Sequence, residues 1–390
     1  MTPLGRRAAL AATVLALCTA LASARPDPQD LPRGVVIDDV KCAADATQSY
    51  ALYLPSGYTP QKAWSLLIAF HPAARGRAMV ETYQAAAEQY GYIVAGSNNS
   101  RNGPWPVSSA AAQAIGADLG QRFSIDPQRM YATGMSGGAR VAMMVALSNT
   151  RIAGVIASSA GYPDSQPRSN VPFAVFGTTG TEDFNYLEMR QLDRALKTPH
   201  HLAVFNGGHT LPPDNVAFEA IDWMELQAMK SGRRARDEAL IDRLLQKRRA
   251  AVDASTSPTE TVHLLDALVA DFSGLRDVSS EAARAKDLAK QPDVKKALAR
   301  ERASDDAEAR MLGDVFELEA ALAGADRHAS ALMSLRGRLA SLAQKARDER
   351  DSPERSQARR VLRSMTSGAA TRTHDREYLA LLDEYGIRGR

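Results

Sequence analysis

Cysteine is nearly missing from this chain: of 390 residues only Cys18 and Cys42 carry a thiol. Removal of the N-terminal 24 residues would leave Cys42 alone. One thiol forms no internal disulfide, so a stapled scaffold is excluded and the fold must be held by its core. Charge imbalance is missing too. A net charge of +3 on a chain of this length gives no basis for a nucleic-acid or anionic-membrane partner. No H-E-x-x-H or phosphate-loop pattern occurs, so neither metal nor cofactor is expected. No stretch inside the chain approaches the length of a membrane span, and no clean repeat of solenoid length is visible. After Lys230 the chain lacks tryptophan altogether and, of 19 prolines, retains Pro258, Pro292 and Pro353.

What is present describes a globular protein of two folded units. Hydrophobic content is 45% and charged content 24%, ordinary values for a packed chain, and the length exceeds one average domain. At the N-terminus Arg6 and Arg7 precede an apolar run from Ala8 to Leu21, followed by Ala22-Ser23-Ala24. This is the three-part pattern of a secretory signal peptide over 1–24, so export to a periplasm or outside the cell is expected. The paired arginines leave both the general and the twin-arginine routes open. Residues 25–47 read as a leader, Pro- and Asp-rich at its start, and Cys42 as a small buried hydrophobe.

From residue 48 to 230 strand and helix patterns alternate. Trp64-Ser65-Leu66-Leu67-Ile68-Ala69-Phe70 is a continuous apolar run, as for a strand buried on both faces. Further strands are expected over 49–54, 92–96, 130–135, 153–158, 173–177 and 201–205. Helices are expected over 79–90, 107–123, 137–148, 186–196 and 215–229. This alternation gives a mostly parallel sheet with helices on both faces, and ligands of such sheets bind at the carboxyl ends of the strands.

The decisive stretch is Met130-Tyr131-Ala132-Thr133-Gly134-Met135-Ser136-Gly137-Gly138. It is a G-x-S-x-G sequence in the setting that motif requires, a short strand turning sharply into a helix. Ser136 at the apex exposes its hydroxyl, and Gly134 and Gly138 let strand and helix approach closely. The helix N-terminus behind the serine offers backbone N–H groups where an oxyanion would form.

A serine hydroxyl needs a base, usually histidine. Of the seven histidines, His263, His328 and His374 fall in the C-terminal region. His200 and His201 open a strand, at the wrong end of the sheet. His209 follows the strand 201–205 through Asn206-Gly207-Gly208 and is placed on the catalytic side. The acid should follow an intervening strand; Asp183 is chosen after strand 173–177, with Glu182 as the runner-up. Asp164 reads as a turn residue. The order 136, 183, 209 is the Ser-acid-His order. Oxyanion donors are expected from the N–H groups of Gly137 and Ala73, because Pro72 has none. His71 is expected to position that loop and, with Trp105, to contribute to substrate binding.

Together, strand-His71 before the first loop, Ser97-Asn98-Asn99-Ser100-Arg101-Asn102-Gly103-Pro104 after the next strand, and the elbow resemble the α/β-hydrolase superfamily. Within it the chain is most similar to exported esterases of the polyhydroxybutyrate depolymerase and feruloyl esterase type, with dienelactone hydrolase-like proteins further off. The resemblance covers roughly 48–230. It implies an α/β-hydrolase fold, the triad Ser136, Asp183 and His209, and a small-molecule or polymeric ester as substrate. Many members have glycine where Pro72 stands, which reshapes the oxyanion loop. Dienelactone hydrolases use cysteine as nucleophile, so Ser136 speaks against that activity.

Residues 231–390 lie outside the resemblance and read as a charged, all-helical C-terminal module. Leu264, Leu265, Leu268, Val269 and Phe272 share one helical face, as do Leu332, Leu335, Leu339 and Leu342. Loose linkers are expected near 255–258, 364–373 and the C-terminus. The basic runs, such as Arg233-Arg234-Ala235-Arg236 and Lys247-Arg248-Arg249, read as solvated helix faces. A protein partner or self-association through this module stays open. So do two rival functions: a peptidase of prolyl-oligopeptidase type, and an idle hydrolase scaffold whose module binds a partner.

Overall fold

The computed structural model describes residues 30–164, 166, 168–350 and 352–385; the expected signal peptide lies outside them. Among the described residues eight strands form one sheet: β1 (Val36–Lys41), β2 (Ser49–Tyr53), β3 (Trp64–Phe70), β4 (Tyr92–Ser97), β5 (Ile125–Met135), β6 (Ile152–Ser158), β7 (Ala174–Gly180) and β8 (His200–Phe205). Their order is β1-β2-β4-β3-β5-β6-β7-β8. β2 runs antiparallel to both β1 and β4, and every pairing from β4 through β8 is parallel. The expected α/β architecture is therefore present. β1 falls inside the span read as a leader. Its sequence, VIDDVK, is half charged and leaves most of its residues outside the core, which suits an edge strand and hides it from a search for apolar runs.

The helices of this unit are α1 (Gly76–Tyr90), α2 (Trp105–Arg122), α3 (Gly137–Ser148), α4 (Tyr186–Ala195) and α5 (Asp214–Lys230). Side chains alternate across the sheet, as the two-residue period of a strand requires. Leu66, Ile68 and Phe70 join Ile115, Leu119, Val141 and Met189 beneath α2, α3 and α4. Leu67 and Ala69 join Met79, Val80, Tyr83, Ile221 and Trp223 beneath α1 and α5. Both faces are thus covered, and a parallel sheet needs that cover. Cys42 is buried and free as expected, and burial, with Asp118 nearby, pushes its thiol up to about 11.

The remainder is helical: α6 (Glu238–Ala254), α7 (Pro258–Phe272), α8 (Ser279–Lys290), α9 (Pro292–Ala321), α10 (Ala325–Ala346), α11 (Pro353–Thr366), α12 (Ala369–Arg372) and α13 (Arg376–Tyr385). It packs in two parts. Helices α6 to α8 share a core with the hydrolase unit, where Leu226 and Met229 of α5 meet Leu240, Ile241, Leu244, Leu265, Leu268 and Phe272. Helices α9 to α13 enclose their own core around Val315, Leu335, Leu339, Val361, Met365 and Tyr378.

Two expectations for this region are corrected. The basic runs are not simply solvated: Lys247 reaches Asp222 at 3.0 Å, and Arg234 and Arg248 pair with Glu225 and Glu219. These acids all belong to α5, so the runs dock the module. Residues 364–373 are not a loose linker either, since 364–366 end α11 and 369–372 form α12. No described helix is long and apolar enough to cross a membrane.

Candidate active site

Every residue singled out for catalysis lies at the carboxyl edge of the parallel strands. Ser136 follows β5 directly and adopts φ 54°, ψ −122°. A non-glycine residue in that region is strained, and such strain persists only where the surroundings enforce it. Here they do. Ser136 N–H donates to Ser158 O at 2.7 Å, and Ser136 O accepts from Ala139 and Arg140 N–H at 2.9 and 3.2 Å, fixing the turn from both sides. The glycines are there for space: a Cβ on Gly134 would lie 2.2 Å from the Gly138 carbonyl, and one on Gly138 would lie 2.1 Å from Phe70 O. Gly137 opens α3, where N–H groups have no intrahelical acceptor.

Asp183 sits in the loop after β7 and is fully buried. Its Oδ1 accepts from His209, whose Nδ1 lies at 2.8 Å, and from the Asn185 N–H at 2.8 Å. With Nδ1 donating to a carboxylate, the imidazole carries its proton there and turns the Nε2 lone pair to other work. Asp183 is no helix cap, since Asn185 occupies that position before α4. The runner-up acid is turned elsewhere: Glu182 pairs with Arg359 at 2.5 Å and Arg363 at 3.4 Å. Asp164 pairs with Arg168 in its own turn, as expected.

Ala73 behaves differently from expectation. Ala73 N–H, expected to face an oxyanion, donates to His71 Nδ1 at 3.0 Å. Ala74, at φ 55°, donates to His71 O at 3.1 Å, so the His71-Pro72-Ala73-Ala74 segment closes on itself and folds the imidazole back onto Ala73. His71 is buried, and burial together with nearby Arg75 lowers its pKa, so it is neutral and able to accept. The loop is tied to its neighbour through Asn102 N–H, which donates to Pro72 O at 2.8 Å. The Asn102 side chain also lies hard against Gly137, 1.8 Å from where a Cβ would stand. Trp105 opens α2 on this edge and is 42% exposed.

Two features escaped the sequence reading. Phe184 stacks on His209, with ring centroids 4.0 Å apart and planes 26° apart. Its position next to Asp183 was the only signal available. Asn185 Nδ2 donates to Ser159 O at 2.7 Å, and Ser159 itself holds φ 60° after β6. Ala74, Ser136 and Ser159 are the non-glycine residues with positive φ among those described, and all three cluster on this edge.

The strand order, the antiparallel start, and the strained serine after the fifth strand decide the fold. It is an α/β-hydrolase fold. No protein-family model matches the chain, and no curated protein does. Solved structures of esterases align with about half of it. A mutant of the feruloyl esterase module from Clostridium thermocellum complexed with sinapinate is 15% identical, covering 48% of this chain and 85% of that one at a TM-score of 0.37. An esterase from Pyrobaculum calidifontis is 12% identical, covering 52% and 87% at 0.39. Esterase 2 of Thermogutta terrifontis, phosphonylated by cyclosarin, is 16% identical, covering 49% and 91% at 0.39.

Proposed function

We propose that this chain is an exported serine hydrolase that cleaves an ester bond through an acyl-enzyme on Ser136. The observation that carries the reading is the 2.8 Å contact between His209 Nδ1 and buried Asp183, on the same sheet edge as a serine held at positive φ. An imidazole held by a buried carboxylate, on the edge that carries an elbow serine, is suited to removing that serine's proton.

The reaction follows from these parts. Ser136 Oγ attacks the ester carbonyl while His209 Nε2 takes its proton. Asp183 holds the imidazole in the required tautomer and stabilises the cation. The tetrahedral oxyanion is received by the N–H of Gly137 at the start of α3. The Ala73 N–H joins only when His71 releases it. Collapse breaks the carbonyl–alkoxy bond, and His209 returns its proton to the departing alcohol. Water, deprotonated by the same imidazole, then attacks the acyl-enzyme; the acyl–Oγ bond breaks, the carboxylic acid leaves, and His209 returns the proton to Ser136 Oγ. Trp105 offers an exposed aromatic side chain on the same sheet edge, suited to an apolar or aromatic ester group.

The test is hydrolysis of p-nitrophenyl esters, acetate through octanoate, by the mature protein beside Ser136→Ala and His209→Gln. Loss of turnover in both variants supports the reading, and the chain-length profile sizes the acyl pocket. Equal rates in wild type and Ser136→Ala would sink it.

A further inference from the structure

The loop that carries Asp183 is held from two sides, and one of them is the helical module. Its N–H groups face the base loop: Thr181 N–H donates to Phe205 O and Glu182 N–H to Gly207 O, each at 2.8 Å. Its carbonyls face α11. Arg360 Nη1 donates to Thr181 O at 2.6 Å, Arg363 Nη1 to Glu182 O at 2.8 Å, and Ser364 Oγ to Phe184 O at 3.4 Å. The Glu182 carboxylate is taken by Arg359 and Arg363. Arg363 also touches the base loop, because a Cβ on Gly208 would lie 2.7 Å from its Nη1. The residues on either side of Asp183, and the residue before His209, thus share contacts with one helix far along the sequence.

We propose that α11 is a positioning clamp for the Asp183–His209 pair, with Arg363 as its central residue; this rests on the triad reading above. Backbone carbonyls on an exposed loop are ordinarily satisfied by water and leave the loop free to move. Here guanidinium groups replace that water with charge-assisted bonds of fixed direction. The Asp183 carboxylate is thereby held where His209 Nδ1 needs it, and the module becomes part of the catalytic apparatus without touching substrate. Arg360 is unsuited as a probe, since it also pairs with buried Glu308 and its loss would strand that charge. Arg363 is partly exposed and its partner Glu182 keeps Arg359.

The full chain is used for the test. Arg363→Ala, Arg363→Lys, Gly208→Ala and Ser136→Ala are compared with wild type in kcat and KM on p-nitrophenyl acetate and in melting temperature. The His209 Nδ1–H proton is followed by NMR, with His209→Gln as the assignment control. The clamp requires Arg363→Ala to lower kcat by about tenfold to a hundredfold, with KM and melting temperature near wild type. The His209 signal should broaden or vanish, Lys should restore part of both, and Gly208→Ala should imitate the loss. A wild-type kcat with an unchanged His209 signal overturns the clamp, as does a kcat loss that merely follows a fall in melting temperature while the signal stays. Should Ser136→Ala prove as active as wild type, the hydrolase reading fails separately, and the His209 signal still decides the clamp.

Discussion

Replacing Gly138 by alanine would place a Cβ 2.1 Å from the Phe70 carbonyl oxygen and 3.0 Å from the His71 amide nitrogen. Both neighbours are backbone, so no rotamer change relieves the clash. Ordinary contact is restored only if α3 and the end of β3 separate by about 1 Å, the scale at which misplacing a reacting group costs about a hundredfold in rate. The overpacking itself should destabilise the fold by about 1–3 kcal/mol. The comparison is Gly120→Ala in α2, where a Cβ meets nothing within 4 Å; there alanine should stabilise by about 0.4–1 kcal/mol. Thermal melts and p-nitrophenyl acetate kinetics on both variants read the two effects. Gly138→Ala should lose kcat by about two orders of magnitude and melt earlier, while Gly120→Ala keeps wild-type kcat. If Gly138→Ala folded with wild-type stability and turned over within twofold of wild type, the tight elbow described here would be wrong.

Further outcomes follow from other contacts. Asp183→Asn should lower kcat by about 10⁴, because an amide can present N–H groups to Nδ1 and favour the wrong tautomer; kcat measured across pH checks it. Asp118→Ala should destabilise by about 3–5 kcal/mol in urea melts, because Asp118 accepts from the Tyr50 hydroxyl and the Ala43 N–H and neutralises buried Arg122. Native Cys42 should stay silent to a thiol reagent at pH 8 and react on unfolding. Because its folded pKa is raised to about 11, the thiol ionises first in the unfolded chain. Its contribution to stability is complete below the unfolded pKa and is lost as pH rises from there towards about 11. Urea melts at rising alkaline pH should show the decline.

Much of the site was legible because its chemistry is local. The elbow announces itself through Gly134, Ser136 and Gly138 within five positions, since the steric demand falls on adjacent residues. Asp183 and His209 were reachable because each follows an apolar strand, and strand ends on one edge converge. What stayed hidden depends on distant partners. The engagement of Ala73 by His71 depends on a turn closed at Ala74, whose positive φ nothing in the sequence announces. The role of the α11 arginines stayed hidden because their acceptors are backbone carbonyls and a carboxylate some 180 residues earlier. The strand β1 was missed for another reason: at a sheet edge, backbone pairing suffices and the side chains need not be apolar.

The most direct test of the central claim is labelling of the folded protein by a fluorophosphonate probe, with the modified peptide located by mass spectrometry and p-nitrophenyl acetate hydrolysis measured in parallel. A triad at this edge requires a single label on Ser136, turnover that disappears as labelling completes, and neither reaction in Ser136→Ala. Label on another residue, or hydrolysis that survives full modification of Ser136, would contradict it.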